Sequence, residues 1–275
     1  VAAAGGQTAR RARRRARRLM RVTFLGTGTS SGVPIVGCDC ATCRSDDPRD
    51  QRWRPSIQIE LADGTSVLVD AATDLRAQAL RFGVDRVDAI LFTHSHADHL
   101  LGLDEVRRYN HLQRATIPCY GDARTMADIR QMFAYVFEPA EQMGGGLPQL
   151  TTFTIGGAFC LGRAMVVPVP LWHGRRPILG FRVANFAYLT DCNAIPDASW
   201  PLLEGVDVLV LDALRTRPHS THFSLDQAVE AATRIGSSST YFTHMCHDLP
   251  HVATCERLPS QMQLAYDGLR LDIPD

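Results

Sequence analysis

Lysine is missing from this chain: each of its 29 basic residues is an arginine. The bias runs through the whole sequence, so it points to no local function. An excess of charge is missing as well. The 29 basic groups meet 29 acidic ones, for a formal net charge of zero at pH 7. That excludes a global field that would gather nucleic acid or an anionic membrane. No apolar run approaches the roughly 18 residues of a transmembrane helix, and the N-terminal residues hold no apolar signal core. The expectation is a cytoplasmic protein with no membrane partner. The even spread of a disulfide framework is also absent. Cys38, Cys40 and Cys43 crowd into Cys38-Asp-Cys40-Ala-Thr-Cys43, while Cys119, Cys160, Cys192, Cys246 and Cys255 are scattered. Tight spacing in an intracellular chain reads as metal before it reads as disulfide.

What is present supports a folded enzyme-sized domain. A hydrophobic fraction of 45% and a charged fraction of 21% suit a globular protein with a proper core, and 275 residues fit one two-sheet α/β domain. The arginines between Arg10 and Arg18 have no acidic partner. Such a run suits either an RNA- or membrane-binding arm or a disordered extension. Because Met20 directly precedes a strong strand, residues 1–19 are read as a disordered Arg-rich extension and residues 20–275 as a single domain.

Along the chain, Val22–Leu25 is a short apolar strand. Ile57–Leu61 and Val67–Val69 pair around Asp63-Gly64. A helix is expected over 73–82, and Ala89–Phe92 is a buried strand followed by a helix from about Leu100. A strand at Ile117–Tyr120 precedes a helix over 122–135. Residues 138–150 read as a surface connection rather than a lid. Further strands are expected near 151–155, 164–169, 178–183, 186–190, Val206–Leu211 and Thr240–Phe242. Ser224-Leu-Asp-Gln227 has the pattern of a capping box opening a helix to about Arg234. Asp267-Gly268 is read as a closing hairpin. Strands alternating with helices in two similar halves imply two facing sheets with helices outside.

The chemistry concentrates at His94-Ser-His96-Ala-Asp98-His99. Alternation along a strand points His94 and His96 the same way just past the strand end. Asp98 and His99 fall where the chain bends into a helix and face a second metal position. Imidazole with carboxylate suits zinc, manganese or iron.

The run Thr93-His94-Ser95-His96-Ala97-Asp98-His99, with Gly102 following, resembles the signature of the metallo-β-lactamase superfamily. The resemblance implies an α/β, αββα four-layer sandwich with further ligands at later strand ends. His173 follows Met165–Leu171, Asp191 follows Ala187–Thr190, and His244 follows Tyr241–Thr243. By this resemblance His94, His96 and His173 hold one divalent ion. Asp98, His99 and His244 hold a second, and Asp191 bridges them. Two ions about 3.5–4 Å apart lower the pKa of a bridging water toward neutrality and hold substrate oxygens, so a metal-bridging hydroxide is the expected nucleophile.

Two features narrow the reading. Cys38, Cys40 and Cys43 need a fourth ligand for tetrahedral zinc, and His247 suits that place, with Cys246 as its rival. His222 precedes the helix capped by Ser224 and suits protonation of a leaving-group oxygen. Asp212, at a strand end, suits its orientation; with Asp98 these two form the expected catalytic set. His219 is the rival of His222. Together these features resemble the PhnP-type cyclic-phosphate phosphodiesterases. That implies cleavage of small phosphodiesters, such as phosphoribosyl 1,2-cyclic phosphate or 2′,3′-cyclic nucleotides. It also implies manganese or zinc at the binuclear site, one structural zinc, and a homodimer. Nucleic acid is not the expected partner. The alternatives are a tRNA 3′-processing nuclease, whose long protruding arm has no counterpart in this sequence, and the pyrroloquinoline quinone biosynthesis protein B group, which has a similar Cys-rich loop. Gly26–Gly32 lacks the ending of a nucleotide P-loop. Ser30, Ser31, Arg175 and Arg176 are candidates to touch a phosphate, the arginines because guanidinium matches phosphate oxygens.

Overall fold

In the computed structural model, which describes residues 19–138 and 146–274, the apolar runs become strands. The first half contains β1 (Leu19–Gly26), β2 (Ser56–Glu60), β3 (Ser66–Val69), α1 (Leu75–Phe82), β4 (Ala89–Leu91), α2 (Ala97–Leu100), α3 (Arg107–Gln113), β5 (Ile117–Gly121), α4 (Ala123–Met132), α5 (Ala134–Phe137) and β6 (Leu150–Thr154). The second contains β7 (Phe159–Leu161), β8 (Ala164–His173), β9 (Arg176–Val183), β10 (Phe186–Leu189), β11 (Val208–Asp212), α6 (Leu225–Ile235), β12 (Ser239–Thr243), α7 (His251–Cys255), β13 (Met262–Leu264) and β14 (Arg270–Pro274). The Arg-rich segment lies outside the described residues, except that Leu19 already belongs to β1.

These strands make two seven-stranded sheets, ordered β14-β1-β2-β3-β4-β5-β6 and β13-β12-β11-β10-β9-β8-β7. Three apolar clusters bind four layers together. Phe24, Ile57, Ile59 and Leu91 of the first sheet meet Phe181, Phe186, Tyr188 and Val210 of the second. Leu68, Ile90 and Phe92 face outward onto Leu75, Val106 and Ile129 of the first helical layer. Leu209, Leu211 and Phe242 face Leu225, Ala228 and Ala232 of the second. Each fully buried large apolar side chain contributes about 1.5–3 kcal/mol relative to exposure. The expected αββα sandwich is therefore the observed architecture.

Two local expectations are corrected. The helix after β4 starts at Ala97 rather than Leu100, with His96 at its N-cap, and breaks at Leu101 before α3. Asp98 and His99 thus sit in a helical first turn. A Cβ on Gly102 would collide with the carbonyl oxygen of Ala72, so only glycine lets this break pass under the chain after β3. Asp267-Gly268 does not close a hairpin. It carries the chain from β13, at the edge of one sheet, to β14, which pairs antiparallel with β1 in the other. The Asp-Gly signal specifies a turn but not which strands it joins.

The sheet centres fix where chemistry can occur. β3, β4, β5 and β6 run parallel to one another, as do β10, β11, β12 and β13. Their C-terminal ends meet at one end of the sandwich. None of the described helices is long and apolar enough to cross a membrane.

Candidate active site

All seven residues of the expected binuclear set arrive at that end. His94 and His96 follow β4, His173 is the last residue of β8, Asp191 follows β10, and His244 follows β12. Donor atoms of His94, His96, His173 and Asp191 lie within 4.8 Å of one another, and so do those of Asp98, His99 and His244. The Asp191 carboxylate stands between the two groups. Its Oδ2 is 2.9 Å from His94 Nε2 and 3.3 Å from His99 Nε2, and its Oδ1 is 2.6 Å from His244 Nε2. Asp191 and His244 both take left-handed backbone, with φ of 61° and 60°. Non-glycine residues hold that conformation at a cost of order 1–3 kcal/mol each, a cost that collects at functional sites.

The tautomers are arranged as metal binding requires. His99 Nδ1 donates to Asp70 Oδ2 at 2.7 Å. His94 Nδ1 lies 3.0 Å from Thr93 Oγ1, which donates to the same Asp70 oxygen at 2.8 Å. His173 Nδ1 donates to the Thr221 carbonyl at 2.9 Å. Each ring is thereby fixed with Nε2 turned inward. The Nε2 atoms of His94, His99 and His244 are buried without a hydrogen-bond partner. Converging orphaned nitrogens around buried carboxylates are the donor set of a divalent ion, so the residues fit the group that the fold implies.

Electrostatics agree. Burial, reinforced by His99, pushes the His94 imidazole down to about 3, keeping it a neutral ligand. Burial alone would depress His244, yet Asp191 and Asp98 outweigh it and hold the ring up to about 10. His99 is raised in the same way by Asp98, Asp191 and Asp70 against its burial. The buried carboxylates call for positive charge, which divalent ions would meet.

His222 sits above this centre. Its ring stacks on His244 with centroids 4.9 Å apart and meets His173 edge-on at 4.8 Å. Its Nδ1 lies 3.3 Å from Asp212 Oδ2 and 3.5 Å from Asp191 Oδ1. Asp212 also accepts from the Phe223 backbone, fixing the loop that carries His222. His219 stands behind, 5.1 Å from the His222 ring, with its Nδ1 turned to Thr221. Asp191, Asp212, His222 and His244 form a further close donor group, so His222 has the geometry of either an acid or a ligand.

The cysteine cluster is a separate site. The sulfurs of Cys38, Cys40 and Cys43 lie 3.2, 3.5 and 3.5 Å from His247 Nδ1. Backbone N–H groups of Ile35 and Cys43 donate to the sulfurs of Cys43 and Cys40. Cys246 stays outside this group, its sulfur accepting from Asp248 N.

Of the expected phosphate contacts, Ser30, Ser31 and Arg175 are exposed, and the Ser31 hydroxyl turns back to Gly32 O. Arg176 alone is anchored beside the ligands, through Ser95. Asp70 is the residue that sequence reading missed. An acid ending the apolar run Val67-Leu-Val was the available signal.

The beta-lactamase superfamily domain matches residues 65–245. A crystal structure of a new diphosphatase from the PhnP family superposes with a TM-score of 0.87 and 45% identity over 93% of this chain and 97% of that one. The chain belongs to the PhnP family. It is accordingly a metallo-β-lactamase-fold hydrolase, and the fold implies divalent metals. Another relative, an octanoyltransferase of Porphyromonas gingivalis, is 36% identical over 93% of this chain but 52% of its own length. The chain thus spans about half the length of that protein. The Zn2+-bound PqqB of Methylobacterium extorquens shares the fold, with a TM-score of 0.76 at 17% identity.

Proposed function

We propose that this PhnP-family chain is a phosphodiesterase that cleaves small cyclic phosphates with two divalent ions, manganese or zinc. His94, His96 and His173 would hold one ion, Asp98, His99 and His244 the other, and Asp191 both. Such ions supply a hydroxide nucleophile near neutral pH and neutralise phosphate charge. The observation that carries the reading is the place of His222. It lies against both candidate ligand groups, with its buried Nδ1 facing Asp212 and Asp191 at 3.3 and 3.5 Å. An imidazole so held donates its Nε2 proton to the oxygen leaving phosphorus. Asp212, facing Nδ1, would orient the ring and stabilise the second proton there, so that the imidazolium gives up the proton on Nε2. Cys38, Cys40, Cys43 and His247 would hold a structural zinc.

The test uses metal-loaded protein of measured metal content. Wild type is assayed on 2′,3′-cyclic nucleotides, linear phosphodiesters, diphosphates, thioesters and lactams. His222→Ala should lose roughly 10²–10⁴-fold in kcat on an alkoxide leaving group, and much less on bis-p-nitrophenyl phosphate, whose leaving group needs no proton. Its bound metal should equal that of wild type. An equal loss on both substrates, or lost metal, would make His222 a ligand instead of the acid. Preference for thioesters or lactams would remove the phosphodiesterase reading.

A further inference from the structure

A row of buried polar side chains lies beneath the histidine–aspartate cluster. Tyr188, Val210 and Tyr241 pack into the apolar cluster between the two sheets. Alternation along a strand turns the residues two further on, Thr190, Asp212 and Thr243, to the same side. Asp212 pairs with Thr243 across β11 and β12, and the register Leu189↔Leu211 brings Thr190 alongside Asp212. Two hydroxyls therefore flank one carboxylate at the C-terminal ends of three parallel strands. All three residues are fully buried.

Thr190 Oγ1, Thr243 Oγ1 and Asp212 Oδ1 have no hydrogen-bond partner among the described residues. Neither has His244 Nδ1, which is 3.7 Å from that Asp212 oxygen. The Tyr188 hydroxyl, beside Thr190, is unpartnered as well. Folded proteins leave few buried polar atoms so, and rarely several together. Neighbouring strands lie about 4.8 Å apart. Upright side chains do not bond directly over that span, but one water between them reaches both. A buried water takes about two to four polar partners. Here His244 Nδ1 donates, Asp212 Oδ1 accepts and each threonine hydroxyl does either. Asp212 divides its oxygens between two tasks. Oδ2 accepts from Phe223 N and faces His222 Nδ1, while Oδ1 belongs to the row. Whatever holds Oδ1 fixes the rotation of the carboxylate, and with it the approach of Oδ2 to the acid.

We propose that Thr190 and Thr243, with Asp212 Oδ1 and His244 Nδ1, form a site for one internal water, and that the two threonines are thereby positioning residues for the acid His222. The positioning role rests on the phosphodiesterase reading; the water site does not.

Three measurements on metal-loaded protein test it. A high-resolution crystal structure should show one ordered water within hydrogen-bond reach of Asp212 Oδ1 and both threonine hydroxyls, lost in Thr243→Val. Valine keeps the shape of threonine and removes only the hydroxyl. Thr190→Val and Thr243→Val should therefore slow kcat on a 2′,3′-cyclic nucleotide roughly 10- to 100-fold, the scale of one hydrogen bond to a charged group. The loss should be far smaller on bis-p-nitrophenyl phosphate, and small on either ester in a His222→Ala background. Thr190→Ser and Thr243→Ser should keep most of the rate. In urea unfolding, loss of a bridged hydroxyl lowers the midpoint, whereas a methyl group in place of an orphaned one raises it. A row without water, or a raised midpoint, overturns the site. An equal loss on both esters, or the full loss repeated without His222, overturns the positioning role. A wild type that hydrolyses no phosphodiester, yet holds the water and unfolds earlier on either valine substitution, would instead overturn the phosphodiesterase reading and leave the water site supported.

Discussion

Asp70 shows how one buried residue can govern several ligands it does not replace. Its carboxylate takes the Thr93 backbone N–H at 2.9 Å, the Thr93 hydroxyl at 2.8 Å and His99 Nδ1 at 2.7 Å. Through Thr93 it also reaches His94, so it sets the tautomer of one ring from each ligand group. Like Asp191 and His244 it has positive φ, here 63°. Three of the five non-glycine residues with positive φ among the described residues thus lie in or beside the histidine–aspartate cluster, while Arg114 and Ala184 take that conformation at turns away from it. Asp70→Ala should leave His99 free to rotate and to carry its proton on either nitrogen. The expected outcome is metal affinity weaker by roughly 10–100-fold, as found when such supporting partners are lost. Metal titration followed by calorimetry reads this directly. Full retention of both affinities would mean that packing alone orients the two rings.

At the scale of elements, α6 is the clearest case of local sequence acting on the site. Ser224 accepts from Gln227 N, while Gln227 Oε1 accepts from Ser224 N, closing the capping box. The loop before it carries His222 and is tied to the second sheet through Phe223 N and Cys192 O at 2.8 Å. Ser224→Ala should cost about 1 kcal/mol of stability in urea unfolding. Because helix start and His222 loop are continuous, kcat should fall as well, whereas a cap that only ends a helix would leave turnover alone. This cap was legible in the sequence because its signal is confined to four consecutive residues. The strands were legible for a similar reason, whereas the later candidate ligands His173, Asp191 and His244 were legible only through the family resemblance, His173 ending an antiparallel strand. The destination of the chain after Asp267-Gly268 was not, because pairing β14 with β1 joins residues at opposite ends of the sequence. The anchoring of Arg176 by Ser95 and Asp128 was hidden likewise: it needs β9, the motif loop and α4 to be in place together.

Across the whole molecule, the two halves are joined at the catalytic end by two clasps. In one, Arg52, fully buried, donates to the carbonyls of Cys246 and Leu249 and to Asp50. In the other, Cys38, Cys40 and Cys43, from the connection between β1 and β2, converge on His247. Both clasps grip the segment directly after His244, so they help set the position of that candidate ligand from outside the site. The segment holding the cysteines has little apolar anchorage of its own: Val36 is 99% exposed, while Val33 and Cys43 are buried. A zinc ion there would therefore supply most of what docks it. Structural zinc in isolated small domains carries about 10–16 kcal/mol of apparent binding free energy. Here three apolar clusters hold the rest of the fold, so the loss on removing the ion should be confined to this one segment. Cys38→Ser should lower bound metal by one ion per chain. A loss of about 2 kcal/mol would move the thermal midpoint of a domain this size by roughly 4–8 °C. Turnover should drop too, since the segment after His244 would lose one of the contacts that hold it, alongside the backbone bonds of Met245 to Thr27 and Thr29. Mild chelation that takes only the ions of the histidine–aspartate cluster should do the reverse, abolishing turnover with a smaller fall in midpoint. If Cys38→Ser keeps its full metal content and midpoint, the three thiols are ordinary reduced cysteines and the clasp is Arg52 alone.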